Sequence, residues 1–463
     1  MSVTPARFVN REDELRLLAR WWDAPGASLG LVWGRRRVGK TKLLAEFARS
    51  RRAVFYTAAG RPLEEELASL TRAVVRDGIS VPRRDLQQRP FRDWDDALET
   101  LAGVDERRKL LVVLDEFPEL VALSPELPRV LRSFWDRARR STRLKLLLCG
   151  SAVRVMASMQ EDRSPLYGRL DLSLLLHPFR PLEAARLLPQ LAPAERALVW
   201  GICGGVPLYL EWWDEGESLR QNLARLVTSP GGLLLTEGHL VLATEAEAGN
   251  LPQQVLRAIA GGRTKHNEIA DAVRADPTRT LDRLVELRLV ERMTPVTEDP
   301  RRTRRRIYRI QDNFLAFWLG LVDRYRTEIE RGLGNTILPV LIRSLDDFMG
   351  LRWKEAFRLH LRDLARNGTL GGEIVAVGPF WTTDGSVELD AVALAGRQRR
   401  AVLVGEAKWA EEVDGQRARR ELERKAAALP RVDPRLRFAV AARKSIREPG
   451  DVLTITAADI FGT

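Results

Sequence analysis

Eight residues, Gly34-Arg35-Arg36-Arg37-Val38-Gly39-Lys40-Thr41, combine the types and the spacing needed to hold a phosphate chain. They fit the pattern G-x-x-x-x-G-K-[ST]. Gly34 and Gly39 let the backbone curl until successive N–H groups converge on one anion, and a helix starting beyond them adds its positive dipole end. Arg35, Arg36, Arg37 and Val38 supply the backbone between the glycines, and Lys42 extends the binding stretch. Lys40 is a compact cation that reaches β- and γ-phosphates. The Thr41 hydroxyl is a hard oxygen ligand for Mg2+.

A second set follows in Leu111-Val112-Val113-Leu114-Asp115-Glu116-Phe117-Pro118. Four apolar residues and then two acids describe a buried strand with carboxylates at its carboxyl end. Asp115 is expected to hold Mg2+, usually through water, and Glu116 to polarise an attacking water as general base. Ser151, after Cys149-Gly150, either senses a γ-phosphate or serves a turn. Arg169 is either a γ-phosphate or inter-subunit arginine, or a surface residue. Pro207, in Gly205-Val206-Pro207, either presses its ring on an adenine or breaks a helix.

A third set stands near the carboxyl end: Glu388-Leu389-Asp390 and Glu406-Ala407-Lys408. Strand alternation puts Glu406 and Lys408 on one face, and Asp390 arrives from the neighbouring strand of a hairpin. Two carboxylates beside a lysine can hold Mg2+ and position or activate a water near a phosphodiester. Glu355 is a further candidate acid. The competing reading is a cross-strand ion pair on a solvated sheet, against which stand the apolar neighbours 391–393 and 402–404.

These groups need elements to position them. The apolar run 30–33 reads as a strand entering the glycine loop, and 41–49 as the helix leaving it, with Leu43, Leu44 and Phe47 on one face. Further apolar runs at 53–56, 110–114, 144–149 and 172–176 alternate with helical stretches. That pattern predicts a five-stranded parallel sheet covered on both faces, the fold class α/β, over residues 1–180. Asn10 is expected to cap a helix with Glu12, Asp13 and Glu14 in its first turn. This segment suits either an adenine contact or a plain helix.

Residues 181–250 read as a helical lid. Residues 251–340 read as a winged helix with a linking helix: helices over 252–260, 266–273 and 278–289, a strand over 290–295, a loop over 297–306 and a strand over 307–310. The third helix can enter a major groove. The loop carries Arg301, Arg302, Arg304, Arg305 and Arg306, which suit a phosphate backbone or form a solvated spacer. Residues 341–463 form the last segment, with a helix over 355–367 and strands over 373–381, 387–394 and 401–409.

The 463 residues suffice for several domains, and 45% hydrophobic with 30% charged residues is the balance of a soluble globular chain. No apolar run approaches the ~20 residues of a membrane span, the longest being 314–322. The chain start carries Arg7 and Arg11 without an apolar segment, so a cytoplasmic protein without membrane association is expected. Two cysteines give neither a disulfide framework nor a metal cluster. The net charge of +12 favours a polyanionic partner. Of the 75 basic residues 9 are lysines, leaving 66 arginines, so a general arginine preference accounts for part of that charge. The same preference makes Lys40 and Lys408 informative, because each stands where a point charge rather than a planar fork is useful.

Taken together, the chain resembles the archaeal-type ATPases of the AAA/STAND superfamily found in archaea and bacteria. The resemblance rests on Asn10-Arg11-Glu12, the loop at 34–41, Leu114-Asp115-Glu116-Phe117, Gly205-Val206-Pro207, the stretch 308–318, Glu388-Leu389-Asp390 and Gly405-Glu406-Ala407-Lys408-Trp409. It implies a P-loop NTPase core with a lid, a winged helix and a PD-(D/E)XK nuclease-like domain, with ATP and Mg2+ as cofactors. Two functions are compatible with it. One is an ATP-driven enzyme on nucleic acid, DNA ahead of RNA, that cleaves with Mg2+. The other is a nucleotide-dependent switch whose last domain binds partners and cuts nothing. An oligomer is compatible with either.

Overall fold

The computed structural model describes residues 8–82, 84–105, 107–244 and 249–463. The chain divides into two compact units, the first closing at His177 and the second opening at Pro178.

In the first unit, strands β1 (Ser28–Trp33), β2 (Ala53–Thr57), β3 (Leu110–Asp115), β4 (Leu144–Gly150) and β5 (Leu172–Leu175) form one parallel sheet, in the order β2-β3-β4-β1-β5. Every residue of β1, β3 and β4 is buried, which requires cover on both faces. Alternation divides the side chains accordingly. Leu29, Leu31, Leu110, Val112 and Leu114 join one core with Leu70, Leu98 and Trp135 from helices Leu63–Arg76, Trp94–Ala102 and Leu127–Ala138. Val32, Leu111 and Val113 join the other with Leu18, Leu43 and Phe47 from helices Glu12–Asp23 and Lys40–Ala48. The expected parallel α/β sheet is present.

The second unit begins helical. The helix Pro193–Cys203 ends at Gly204 and Gly205, both with positive φ, and Pro207 starts the next helix, Pro207–Glu211. Helices Asn250–Ala260, His266–Val273 and Thr278–Glu286 then lead into an antiparallel hairpin of β6 (Val290–Met293) and β7 (Ile307–Ile310), the order that a winged helix takes.

The helix expected over 355–367 is the last part of one continuous helix, Gly334–Arg366, of 33 residues. It lies against a separate mixed sheet. Strands β8 (Ile374–Trp381), β9 (Glu388–Ala395) and β10 (Arg400–Ala407) run antiparallel in sequence. A short parallel pair, β11 (Glu412–Asp414) with β13 (Ser445–Arg447), stands apart. β12 (Val432–Ala441) and β14 (Leu453–Ile455) extend the main sheet in parallel, giving the order β14-β12-β10-β9-β8. Helix Gly334–Arg366 covers one face and helix Gly415–Ala426 the other. Gly405 is needed for the first contact, because a Cβ there would stand 2.6 Å from the Phe357 ring. No helix among the described residues is long and apolar enough to cross a membrane.

Candidate nucleotide site and carboxylate–lysine site

The loop between β1 and helix Lys40–Ala48 sits at the carboxyl end of the central strand, where a parallel sheet leaves room for a ligand. Gly34 has φ +152, and a Cβ there would lie 2.4 Å from the Leu176 carbonyl oxygen, so no side chain fits. Gly39 has φ +90 and caps the helix without a side-chain bond, leaving the first-turn donors to a phosphate. Lys40 Nζ lies folded across the loop, donating to the Gly34 and Arg35 carbonyls at 3.0 and 2.9 Å. Arg36, Arg37, Thr41 and Lys42 are exposed around it, and Val38 is buried in the core.

Two hydrogen bonds gather the remaining predicted residues. Thr41 Oγ1 donates to Asp115 Oδ2 at 2.8 Å, and Ser151 Oγ donates to Glu116 Oε2 at 3.1 Å. Asp115 is buried at the end of β3. Glu116 follows it at φ +51, a left-handed turn that carries its carboxylate away from the strand direction. The Thr41 hydroxyl and Asp115 carboxylate are hard oxygens in contact, a donor pair that suits Mg2+, which keeps few protein ligands beside phosphate and water. Burial, and after it the Asp115 carboxylate, pushes the neighbouring Cys149 thiol well up, so it stays neutral.

Three expectations change here. Asn10 does not cap the first helix: Arg11 occupies the cap position at φ 71 and no side-chain cap bond forms. The reason is the Arg11 guanidinium, which donates to the carbonyls of Val38 at 2.9 Å and His177 at 2.7 Å. Arg11 therefore clamps the phosphate loop to the end of the sheet, a role that its place in Asn10-Arg11-Glu12 alone does not disclose. Arg169 stands ahead of β5, at the amino ends of the strands, gripping Asp136 with two 2.8 Å bonds. It cannot meet a γ-phosphate on its own loop. Pro207 is buried as the first residue of a helix, where its fixed φ suits it.

In the second unit, Asp390 and Glu406 stand on neighbouring antiparallel strands of one hairpin, β9 and β10. Asp390 Oδ2 accepts the Ala407 backbone N–H at 2.9 Å, and Lys408 Nζ is 3.4 Å from Glu406 Oε1. Two further lysines enter. Lys354 Nζ is 2.7 Å from Asp390 Oδ1 and also reaches Glu388 at 2.9 Å, and Lys425 Nζ is 3.7 Å from Glu406 Oε2. Burial pulls the Lys354 ammonium down, but Asp390 and Glu388 more than offset this and raise it overall. The excess negative charge expected of this trio is thus largely neutralised. Among the described residues no group of three or more His, Cys, Asp or Glu side chains is arranged to hold a metal ion. Lys354 and Lys425 had one sequence signal: they are two of 9 lysines among 75 basic residues.

Glu355 is not a further metal acid. Its Oε2 takes Arg309 at 2.7 Å and Arg358 at 2.9 Å, and its Oε1 takes Arg362 at 3.4 Å. Burial would raise its carboxyl, yet Arg309, Arg358 and Arg362 hold it down to about 2. Arg358 also donates to the Asp390 carbonyl at 2.9 Å, and Arg309 to Glu291 at 2.7 Å, so the network joins hairpin, helix and sheet. Removing a partner from a buried ion network costs about 3–5 kcal/mol, the loss expected for Glu355→Ala. The folded carboxyl lies below its ordinary 4.5, so its contribution is complete above that value and disappears as pH falls toward about 2. Thermal melts of wild type should therefore fall more steeply than those of Glu355→Gln across that window.

The arginine loop is also partly tied down. Arg305 contacts Glu298 and donates to the Trp381 carbonyl at 2.7 Å, and Arg306 donates to Pro300 at 3.4 Å. Val296 N–H bonds the Pro379 carbonyl at 2.8 Å, attaching this segment to β8. Arg301, Arg302 and Arg304 remain exposed. Helix Thr278–Glu286 carries Asp282 and Glu286 beside Arg279 and Arg283, so it is not uniformly basic.

A glycine loop, a lysine across it, and a Thr41–Asp115 pair beside Glu116, all at the carboxyl edge of a parallel sheet, define a P-loop nucleotide hydrolase. Residues 8–212 match the family described as an ATPase domain predominantly from Archaea, and this part of the chain is a P-loop ATPase domain of archaeal type. Residues 318–423 match a family described as archaeal and bacterial proteins of unknown function. An uncharacterized protein of Methanocaldococcus jannaschii is 26% identical over 465 residues, covering 98% of this chain and 99% of its own. An uncharacterized ATP-binding protein of the same organism is 47% identical over 45 residues, 10% of this chain and 76% of its own. The Walker-type ATPase of Pyrococcus abyssi shares the fold with TM-score 0.52 at 21% identity, covering 67% of this chain and 96% of its own.

Proposed function

We propose that this ATPase acts on nucleic acid, with ATP turnover at Lys40, Thr41, Asp115 and Glu116 and a phosphodiester site at Asp390, Glu406 and Lys408. The observation that carries the first half is the Thr41–Asp115 bond beside the Ser151–Glu116 bond. Thr41 and Asp115 would hold Mg2+, which supplies charge neutralisation for the phosphates. Lys40 would exchange its loop carbonyls for phosphate oxygens. Glu116, oriented by Ser151, accepts the proton of the attacking water. Phosphate release with and without Mg2+ tests this half.

The second half rests on two carboxylates and Lys408 at adjoining strand ends. Glu406 Oε2 is buried without a hydrogen bond, the kind of oxygen a cation would satisfy. Lys408 would position or activate the water. The switch reading draws support from Lys354 and Lys425, which already neutralise the carboxylates. Cleavage of labelled DNA with Mg2+, with and without ATP, separates the two readings.

Arg301, Arg302 and Arg304 would bind the nucleic-acid backbone. Neutralising all three should weaken DNA binding alike for every sequence and flatten the slope of log K against log salt by about 0.9 per lost contact. An unchanged slope would return the loop to the role of spacer.

A further inference from the structure

A cleft of about 1030 Å3 opens in the first unit at the amino ends of the strands, at the far end of the sheet from the phosphate loop. The last turn of helix Glu12–Asp23, residues 24–28 ahead of β1, the end of helix Leu127–Ala138 and residues 169–172 form its walls. Five arginines line it, Arg20, Arg137, Arg139, Arg140 and Arg169, against two carboxylates, Asp136 and Asp171. Both carboxylates are already occupied: Arg169 holds Asp136 at 2.8 Å and Arg139 holds Asp171 at 2.7 Å. Arg137 turns to Glu99 at 2.9 Å. Arg20 and Arg140 are exposed and make no ion pair among the described residues.

Two independent features point the same way. Trp21 and Trp135 line the cleft at 5% and 1% exposure, and neither indole N–H has an acceptor among the described residues. A buried donor without an acceptor is unfavourable, and both indoles belong to the walls of this cleft. Behind the same wall the fully buried Lys145 holds its ammonium 5.8 Å from the Trp21 ring, donating to Ala24 O and Ser28 Oγ, each at 2.8 Å. The cleft thus offers hydrogen-bond donors and positive charge, while its acceptors are taken.

We propose that this cleft binds a chain of phosphates, either the backbone of a single-stranded nucleic acid or a small free polyphosphate. Guanidinium forks match phosphate oxygens in pairs, and a positively charged groove is how proteins follow a single strand.

The test uses the full chain carrying Lys40→Ala, so that the phosphate loop cannot account for binding, and Arg301→Ala, Arg302→Ala and Arg304→Ala, so that the arginine loop cannot. Anisotropy of a short fluorescent oligothymidylate is read over a salt series, with inorganic tripolyphosphate as competitor. Adding Arg20→Glu and Arg140→Glu should weaken binding about tenfold or more and flatten the salt slope by about 0.7 per lost contact. Reversing Arg92 and Arg129 instead, outside the cleft, should change neither comparably. Displacement by tripolyphosphate would identify the free polyphosphate as a sufficient ligand. Resistance to it, with the oligonucleotide still lost in the double reversal, would identify the nucleic-acid backbone. Unchanged affinity and slope in the double reversal would overturn the proposal. So would displacement by polyglutamate as effective as by tripolyphosphate, which would mark an acidic protein partner. ATP hydrolysis of the otherwise wild-type chain should be unaffected by Arg20→Glu and Arg140→Glu.

Discussion

Glu116→Gln is expected to bind ATP as wild type does while turning it over about 10²- to 10⁴-fold more slowly, the range that loss of a general base produces. The amide can still accept the Ser151 hydroxyl, whose bond to Glu116 Oε2 is 3.1 Å, so the local arrangement survives. What it cannot do is take a proton from water. Lys40→Ala should fail differently. Its ammonium, now 3.0 and 2.9 Å from two loop carbonyls, is the cation placed to follow the phosphates, and without it nucleotide affinity itself should collapse. Calorimetric titration with a nonhydrolysable nucleotide, beside phosphate release, separates the two effects. Equal loss of affinity in both variants would dismiss this division of roles.

Asp390→Ala is expected to abolish Mg2+-dependent cleavage and to destabilise the second unit together. The carboxylate is buried, 2.7 Å from Lys354 Nζ and 2.9 Å from the Ala407 N–H, so its removal leaves a buried backbone donor unpaired and a partly buried ammonium with Glu388 alone. Leaving the buried Ala407 donor unsatisfied costs about 1–3 kcal/mol. Asp390→Asn is the discriminating variant: its amide oxygen can keep the Ala407 bond while the charge is gone. Wild type should gain thermal stability on titration with Mg2+ or Mn2+, by mass action, and Asp390→Asn should not. Lys354→Met should test the opposing possibility, because freeing the carboxylates ought to strengthen metal binding if lysine and metal compete for them. Should no variant respond to divalent metal and no DNA be cut, the switch reading stands and the lysines are its permanent counter-ions.

The buried network of Glu291, Arg309, Glu355 and Arg358 bears on both readings. It ends on the Asp390 carbonyl, so any movement of the β6–β7 hairpin relative to helix Gly334–Arg366 would be felt at the carboxylate site. A device of this kind serves a gated nuclease and a partner-binding switch equally well.

What was legible in the sequence was set by local chemistry. A glycine that must take φ +152 against a carbonyl, a lysine and a hydroxyl one residue apart, and acids ending an apolar run are constraints within a few residues, so they survive as spacing. The parallel sheet was legible for a related reason: strands buried on both faces must be apolar throughout. The pairing of the strands that carry Asp390 and Glu406 could be read because a hairpin joins near neighbours.

Tertiary structure decided whatever depends on residues far apart in sequence. Arg11 was unreadable as a clamp because His177 lies 166 positions away. Glu355 looked like a free acid until three arginines closed on it, and Lys354 and Lys425 reached the carboxylates only through packing of two helices on opposite faces of one sheet. In a chain with 75 basic residues, charge type alone cannot say which cation meets which acid. Local geometry selects the residues that hold a phosphate, whereas distant packing selects which charges are left free to act.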